Sequence, residues 1–126
     1  MGIFYFPELS QKILDLAYKV HTELGPGLLE STYESCLEYE MVQSGLHVER
    51  QKRLPLQYGS LLIEDAYRID LFVENKIIIE IKSVDRLVDL HFRQILTYLK
   101  LAQVKVGYLI NFNVDYLKNG ISRKVL

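Results

Sequence analysis

The pattern of apolar and polar positions divides the chain into a helical first third and a mixed remainder. Over residues 8–24, Leu9, Ile13, Leu16, Ala17, Val20 and Leu24 recur at steps of three and four, which puts one apolar stripe on a helix. Pro7 stands just before this stretch and Gly25-Pro26-Gly27 ends it. A second helix is predicted over residues 28–44, with Leu29, Tyr33, Cys36, Leu37 and Met41 on its buried face and Gly45 just past its C-terminus. The period then changes to two. Residues 46–50 alternate as an edge strand, and residues 54–58 form a weaker strand in which Pro55 suits only an edge or a strand start. After a turn at Gly59-Ser60 the chain returns over residues 61–64. Residues 67–73 and 76–82 read as stronger strands with a hairpin at Glu74-Asn75. Ile77-Ile78-Ile79 is apolar on both faces, as in a central strand covered on both sides. A third helix is predicted over residues 84–101 from Leu87, Leu90, Ile95, Leu99 and Leu101, followed by a strand over 105–112 and a short last strand over 121–126. Strand, helix and strand in that order predict a crossover between parallel neighbours. The expected architecture is α/β, a mixed β-sheet flanked by helices on both faces.

Composition narrows the classes. A chain of 126 residues is expected to form one domain, residues 1–126, large enough to hide about two-thirds of its unfolded surface without a disulfide or structural metal. With 49% hydrophobic and 25% charged residues, long disorder is not expected. The longest apolar run, residues 3–6, is far short of a membrane span, and the start shows neither a basic segment nor a cleavage site, so neither membrane insertion nor secretion is expected. One cysteine, Cys36, excludes an internal disulfide and a multi-cysteine zinc site, which fits the cytoplasm. Gly25-Pro26-Gly27 lacks the Lys-Ser/Thr that a phosphate-binding loop needs, so no nucleotide cofactor is expected. The net charge of −1 excludes a protein that grips nucleic acid by bulk positive charge. It leaves room for a local basic patch, or for a metal held by acidic residues.

The candidate chemistry lies in acid placement. Asp70 interrupts the apolar strand around Ile69, Leu71, Phe72 and Val73, and Glu80 follows three isoleucines with Lys82 two residues on. Alternation places Glu80 and Lys82 on one face. A carboxylate inside a covered strand is costly unless partnered. Loop length decides whether the two acids meet. A two-residue turn at Glu74-Asn75 pairs Val73 with Lys76 and sends Asp70 and Glu80 to opposite faces. A three-residue loop pairs Val73 with Ile77 and sets Asp70 across from Glu80, as would a bulge near Asp70. Facing carboxylates repel unless a cation sits between them, and all-oxygen ligation points to Mg2+ or Mn2+ rather than zinc. The competing reading pairs Asp70 and Glu80 with Arg68 and Lys82 as plain ion pairs. His21, His47 and His91 are too scattered for a zinc site, and Cys36 reads as packing.

These residues carry a resemblance. Asp70 followed by Glu80-Ile81-Lys82 resembles the D…ExK core of the PD-(D/E)xK nuclease superfamily, with Ile69 where that pattern often has proline. Gly27-Leu28-Leu29-Glu30-Ser31-Thr32-Tyr33 resembles the signature of the small GxxExxY proteins, and the blocks 18–27, 68–71, 79–82, 94–99 and 107–112 are similar to that family in the same order. The resemblance implies a restriction-endonuclease-like core and a divalent-metal-dependent nuclease acting on phosphodiester bonds of DNA or RNA. It implies Asp70 and Glu80, with Glu30, as ligands of Mg2+ or Mn2+, and Lys82 as the catalytic lysine. Gln94 and Tyr98 are similar to the QxxxY element of RecB-like nucleases and are expected to bind substrate. Nucleic acid is therefore the expected partner, with a homodimer as one way a small chain gains binding surface. The other expectation is a catalytically silent nuclease-fold module that binds or regulates a protein or nucleic-acid partner.

Overall fold

The computed structural model describes residues 4–126, so Ile3, the first residue of the apolar run, lies outside them. Helices α1 (Pro7–Leu24) and α2 (Glu30–Gln43) come first. Strands β1 (Val48–Tyr58), β2 (Leu61–Val73) and β3 (Ile77–Lys82) follow, then α3 (Asp89–Ala102), β4 (Val106–Asn111) and, after a short 3-10 turn at Leu117–Gly120, β5 (Ile121–Val125). The sheet runs β1-β2-β3-β4-β5, with β3 and β4 parallel and every other neighbour antiparallel. The expected crossover is thus present, with α3 between two adjacent parallel strands.

The sheet is covered on both faces. Ile13, Ala17 and Val20 of α1 and Tyr33, Leu37 and Met41 of α2 pack on Leu71, Val73, Ile77, Ile79 and Ile81. On the other face Ile95, Tyr98 and Leu99 of α3 pack on Ile69, Phe72, Ile78 and Leu109. The odd-numbered isoleucines of β3 serve one layer and Ile78 the other, as a doubly covered strand requires. Gly107 lets α3 approach closely, since a Cβ there would lie 2.9 Å from Ile95 Cδ1.

Three sequence expectations change in detail. Residues 46–50 and 54–58 join in one long strand, as do 61–64 and 67–73, and Pro55 lies within the edge strand β1 at a break in register between Leu54 and Leu56. Pro55 has no N–H to give, and the ladder yields at that point. The second helix begins at Glu30 rather than Leu28, because Tyr33 Oη accepts from Leu28 N–H at 3.1 Å and donates to Gly25 carbonyl at 2.5 Å. These bonds tie up the corner before the helix. The third helix begins at Asp89, five residues later than its apolar spacing suggests. Asn111, buried at the end of β4, accepts from Val84 N–H at 3.1 Å and donates to Val84 carbonyl at 2.9 Å, holding the backbone after β3 out of helix. His91 starts α3 instead, its Nδ1 accepting from Val88 N–H at 3.1 Å.

Asn111 therefore positions the segment directly after Lys82. Asn111→Ala leaves the N–H and carbonyl of Val84 without their side-chain partner. It is expected to lower unfolding free energy by roughly 2–4 kcal/mol, read from urea denaturation at unchanged m-value. A loss under about 0.5 kcal/mol would show that this anchor does not hold the segment.

Candidate metal and acid site

The β2–β3 hairpin turns through three residues. Glu74 and Asn75 both have positive φ, Lys76 N–H donates to Val73 carbonyl at 2.9 Å, and Val73 pairs with Ile77. Leu71 then pairs with Ile79, which sets Asp70 opposite Glu80. Of the two loop lengths weighed from sequence, the longer one forms.

At this rung the backbone ladder stops and side chains replace it. Asp70 N–H donates to Glu80 Oε2 and Ile81 N–H donates to Asp70 Oδ2, both at 2.8 Å. The two strands separate here, and each acid satisfies an amide that the separation would otherwise leave bare. Alternation also breaks: Leu71 packs under α1 and α2, whereas Ile69, two residues away, packs under α3. Neither acid forms an ion pair within 4.0 Å among the described residues. Arg68 instead pairs with Asp65 at 2.8 Å, so the plain ion-pair reading does not describe this site.

A third carboxylate approaches from α2. Glu34, 6% exposed, accepts from Arg50 Nε at 2.6 Å and from Gln51 Nε2 at 2.8 Å. The same Gln51 amide donates to Asp70 Oδ1 at 3.0 Å. Gln51 takes φ 52, a left-handed backbone uncommon outside glycine, and that kink lets its amide bridge two acids. Glu34, Gln51 and Arg50 were not singled out from sequence. The signal was nevertheless there: Glu34 precedes the core residues Leu37 and Met41 by three and seven positions, so an acid sits on the buried stripe.

The other expected site residues divide into two groups. Lys82 ends β3, and its positive charge lowers the proton affinity of Glu80. Tyr98, buried on α3, stands close enough to feel both acids. Burial, then the charges of Glu80 and Asp70, push its phenol up to about 12, against a hydrogen bond with Gln94. Tyr98 therefore keeps its proton and remains a donor. Glu30 is not brought to the pair. It is exposed, and its Oε2 accepts from Ser83 N–H at 3.1 Å, while Ser83 Oγ donates to Leu28 carbonyl at 2.6 Å. Glu30 thus fastens the start of α2 to the residue after Lys82, one turn before Glu34.

Burial is the largest influence on both central acids. It raises Asp70 from 3.8 to about 6, with the charge of Glu34 adding to the rise. It raises Glu80 well above the ordinary carboxylate range, with the charge of Asp70 adding to the rise. The site is short of positive charge. Among the described residues no group of three or more His, Cys, Asp or Glu has metal-holding spacing. A buried and a half-buried carboxylate side by side still suit a hard divalent cation, since Mg2+ is commonly held by one or two carboxylates with waters and substrate oxygens completing the shell.

The sequence matches the family model of the PD-(D/E)XK nuclease superfamily over residues 7–124. The chain belongs to the PD-(D/E)XK nuclease superfamily. Nucleases of this superfamily generally use divalent metals. The five-stranded mixed sheet with helices on both faces agrees with the restriction-endonuclease-like fold of the superfamily. Neither the curated proteins nor the solved structures compared gave a significant match. No helix among the described residues is long and apolar enough to cross a membrane.

The raised acids set a pH dependence. In the folded chain Asp70 and Glu80 hold protons to higher pH than in the unfolded chain. The contribution of Asp70 to stability is complete below about pH 4 and is lost as pH rises through about 6, and that of Glu80, raised well above its ordinary value, is lost in the same direction. With a chelator present, thermal unfolding at pH 5 is expected at higher temperature than at pH 7.5, with a free-energy difference from Asp70 of about 1–1.5 kcal/mol. Adding Mn2+ at pH 7.5 is expected to recover the loss, and Asp70→Asn to remove the share of the pH effect that belongs to Asp70 and to weaken the Mn2+ effect. A melting temperature that rises with pH across this window would contradict the assignment.

Proposed function

We propose that this chain is a divalent-metal-dependent nuclease of the GxxExxY type that hydrolyses phosphodiester bonds of DNA or RNA in the cytoplasm. The observation that carries this reading is the pairing of Asp70 and Glu80 across strands that part at that rung, with Lys82 two residues on. Asp70 and Glu80 would hold Mg2+ or Mn2+. The cation would supply Lewis-acid polarisation of a phosphodiester oxygen and of a water.

The chain's own residues account for the rest. Lys82 has no carboxylate within 4.0 Å among the described residues, so its ammonium is free to orient the attacking water and to meet charge developing on a phosphoryl group. Gln51 keeps Asp70 aimed by holding Oδ1 while Ile81 N–H holds Oδ2. Glu34 and Arg50 fix Gln51 in turn. Tyr98 and Gln94 hold substrate as uncharged donors beside the acids. Glu30 acts as a positioning residue through Ser83.

Purified protein with Mg2+ or Mn2+ is expected to cut at least one of single-stranded, duplex and branched DNA or RNA. Glu80→Ala and Lys82→Ala are expected to lower the rate at least about 100-fold. Calorimetry separates their roles: Asp70→Ala loses metal binding, while Lys82→Ala keeps it. A second reading, a silent binding or regulatory module, is favoured by the net charge of −1 and by the lack of a three-acid metal group among the described residues. Metal binding without cutting on any substrate would establish it over the first.

A further inference from the structure

Beyond Leu54 and Tyr67 the β1–β2 hairpin leaves β3, which pairs only with residues 71–73, and continues as a two-stranded ribbon. Between its base and α3 lies a cleft of about 250 Å3 lined by Tyr67, Leu90, Arg93, Gln94, Thr97 and Tyr98. We propose that this cleft takes an unstacked base of a single-stranded nucleic acid and presents the adjoining phosphodiester to Asp70 and Glu80. The proposal rests on the nuclease reading of that pair and adds the substrate class.

The two ends of the cleft argue for this occupant. At the inner end Tyr98 packs in one cluster with Ile69, the chain neighbour of Asp70, and Ile78, two residues before Glu80, so the cleft opens on the side of the sheet next to the acids. Its ring lies 5.7 Å from that of Tyr67, tilted by 56°. The two rings do not stack on each other, and Tyr67, 37% exposed, has ring surface to offer a third. At the outer end Leu90 is 71% exposed, and Arg93 is exposed with no carboxylate within 4.0 Å among the described residues. The ribbon's arginines differ. Arg53 and Arg68 both face Asp65, at 3.9 and 2.8 Å. Arg93 is thus the cation this cleft presents to a phosphate.

Charge argues against a duplex. Gripping a double helix through its backbone takes several phosphate contacts. This chain has a net charge of −1 and one arginine at the cleft. A stacking platform works without bulk charge, because every base has a π-face, but only a base free of its neighbours can reach it.

The test is binding in chelator, where no cutting occurs, read by fluorescence anisotropy with labelled single strands of about 12 nucleotides, DNA and RNA, and the matching duplex. At least one single strand is expected to bind tenfold or more tighter than duplex, with a shallow salt slope near that of one phosphate. Tyr67→Ala is expected to weaken single-strand binding about tenfold or more, whereas Tyr67→Phe retains it. The exposed substitution Arg93→Ala is expected to weaken binding and flatten the salt slope. Equal or tighter duplex binding, no binding of any strand, or unchanged binding by both Tyr67→Ala and Arg93→Ala overturns the proposal. A parallel digest in Mn2+ separates the two readings. Single-strand binding through Tyr67 without cutting upholds the cleft and removes the nuclease reading. Cutting of duplex undiminished by Tyr67→Ala upholds the nuclease and removes the cleft.

Discussion

Two strands part at Asp70 and Glu80, and two side chains stand in for the missing rung. Everything at the site depends on that exchange. A bare buried amide costs about 1–3 kcal/mol, and separating strands would leave one on each side. Asp70 covers the N–H of Ile81, and Glu80 covers the N–H of Asp70. The opening that exposes both carboxylates is therefore stabilised by those same carboxylates. Their raised proton affinity expresses one further fact: the arrangement lacks a positive charge.

The surrounding contacts hold this imbalance in place rather than neutralise it. Among the described residues Arg50 is the one guanidinium that pairs with an acid of this cluster, and it stops at Glu34 and Glu38. Gln51 passes the restraint onward as a neutral amide, touching Glu34 and Asp70 with one nitrogen. Lys82 contributes charge without a carboxylate within 4.0 Å among the described residues. On the far side, Tyr33 stacks on Phe112 with centroids 4.5 Å apart while its hydroxyl fixes the corner at Gly25 and Leu28. The tyrosine of the Gly27–Tyr33 block thus sets where α2 begins. Its glutamate ties that beginning to Ser83. The block orients the helix that delivers Glu34.

What was legible in the sequence was whatever depends on periodicity. The layers, the crossover and the two covered faces follow from the spacing of Ile13, Ala17, Val20 and of Ile77, Ile78, Ile79. The meeting of Asp70 and Glu80 was not legible from spacing alone, because one residue of loop length reverses the faces and both lengths suit Glu74-Asn75. Glu74 takes positive φ, which few non-glycine residues do, and local preference did not favour it. The start of α3 was hidden for a different reason. Val84 and Leu87 fit the helical period, but the side chain that removes them from it is Asn111, 27 residues later. The long ribbon was broken in two because its outer half is exposed on both faces, so alternation carries no burial signal there. Glu34 is one acid among several on α2. The stripe it shares with Leu37 and Met41 distinguished it.

The crossover helix connects the fold's energetics to its chemistry. Right-handed βαβ geometry requires only that α3 lie on the sheet. How close it lies is set by Gly107, whose missing side chain admits Ile95 and Leu99. Tyr98 is carried inward with them, one residue before Leu99, and its phenol comes under the influence of Glu80 and Asp70. A larger residue at 107 would press on Ile95 Cδ1 and Cγ1 and on Leu99 Cδ2, the side chains that flank Tyr98 on the packed face of the helix. The close approach that fills the second core is thus the same approach that places an uncharged donor beside two carboxylates. Core packing and site geometry cannot vary independently along this helix.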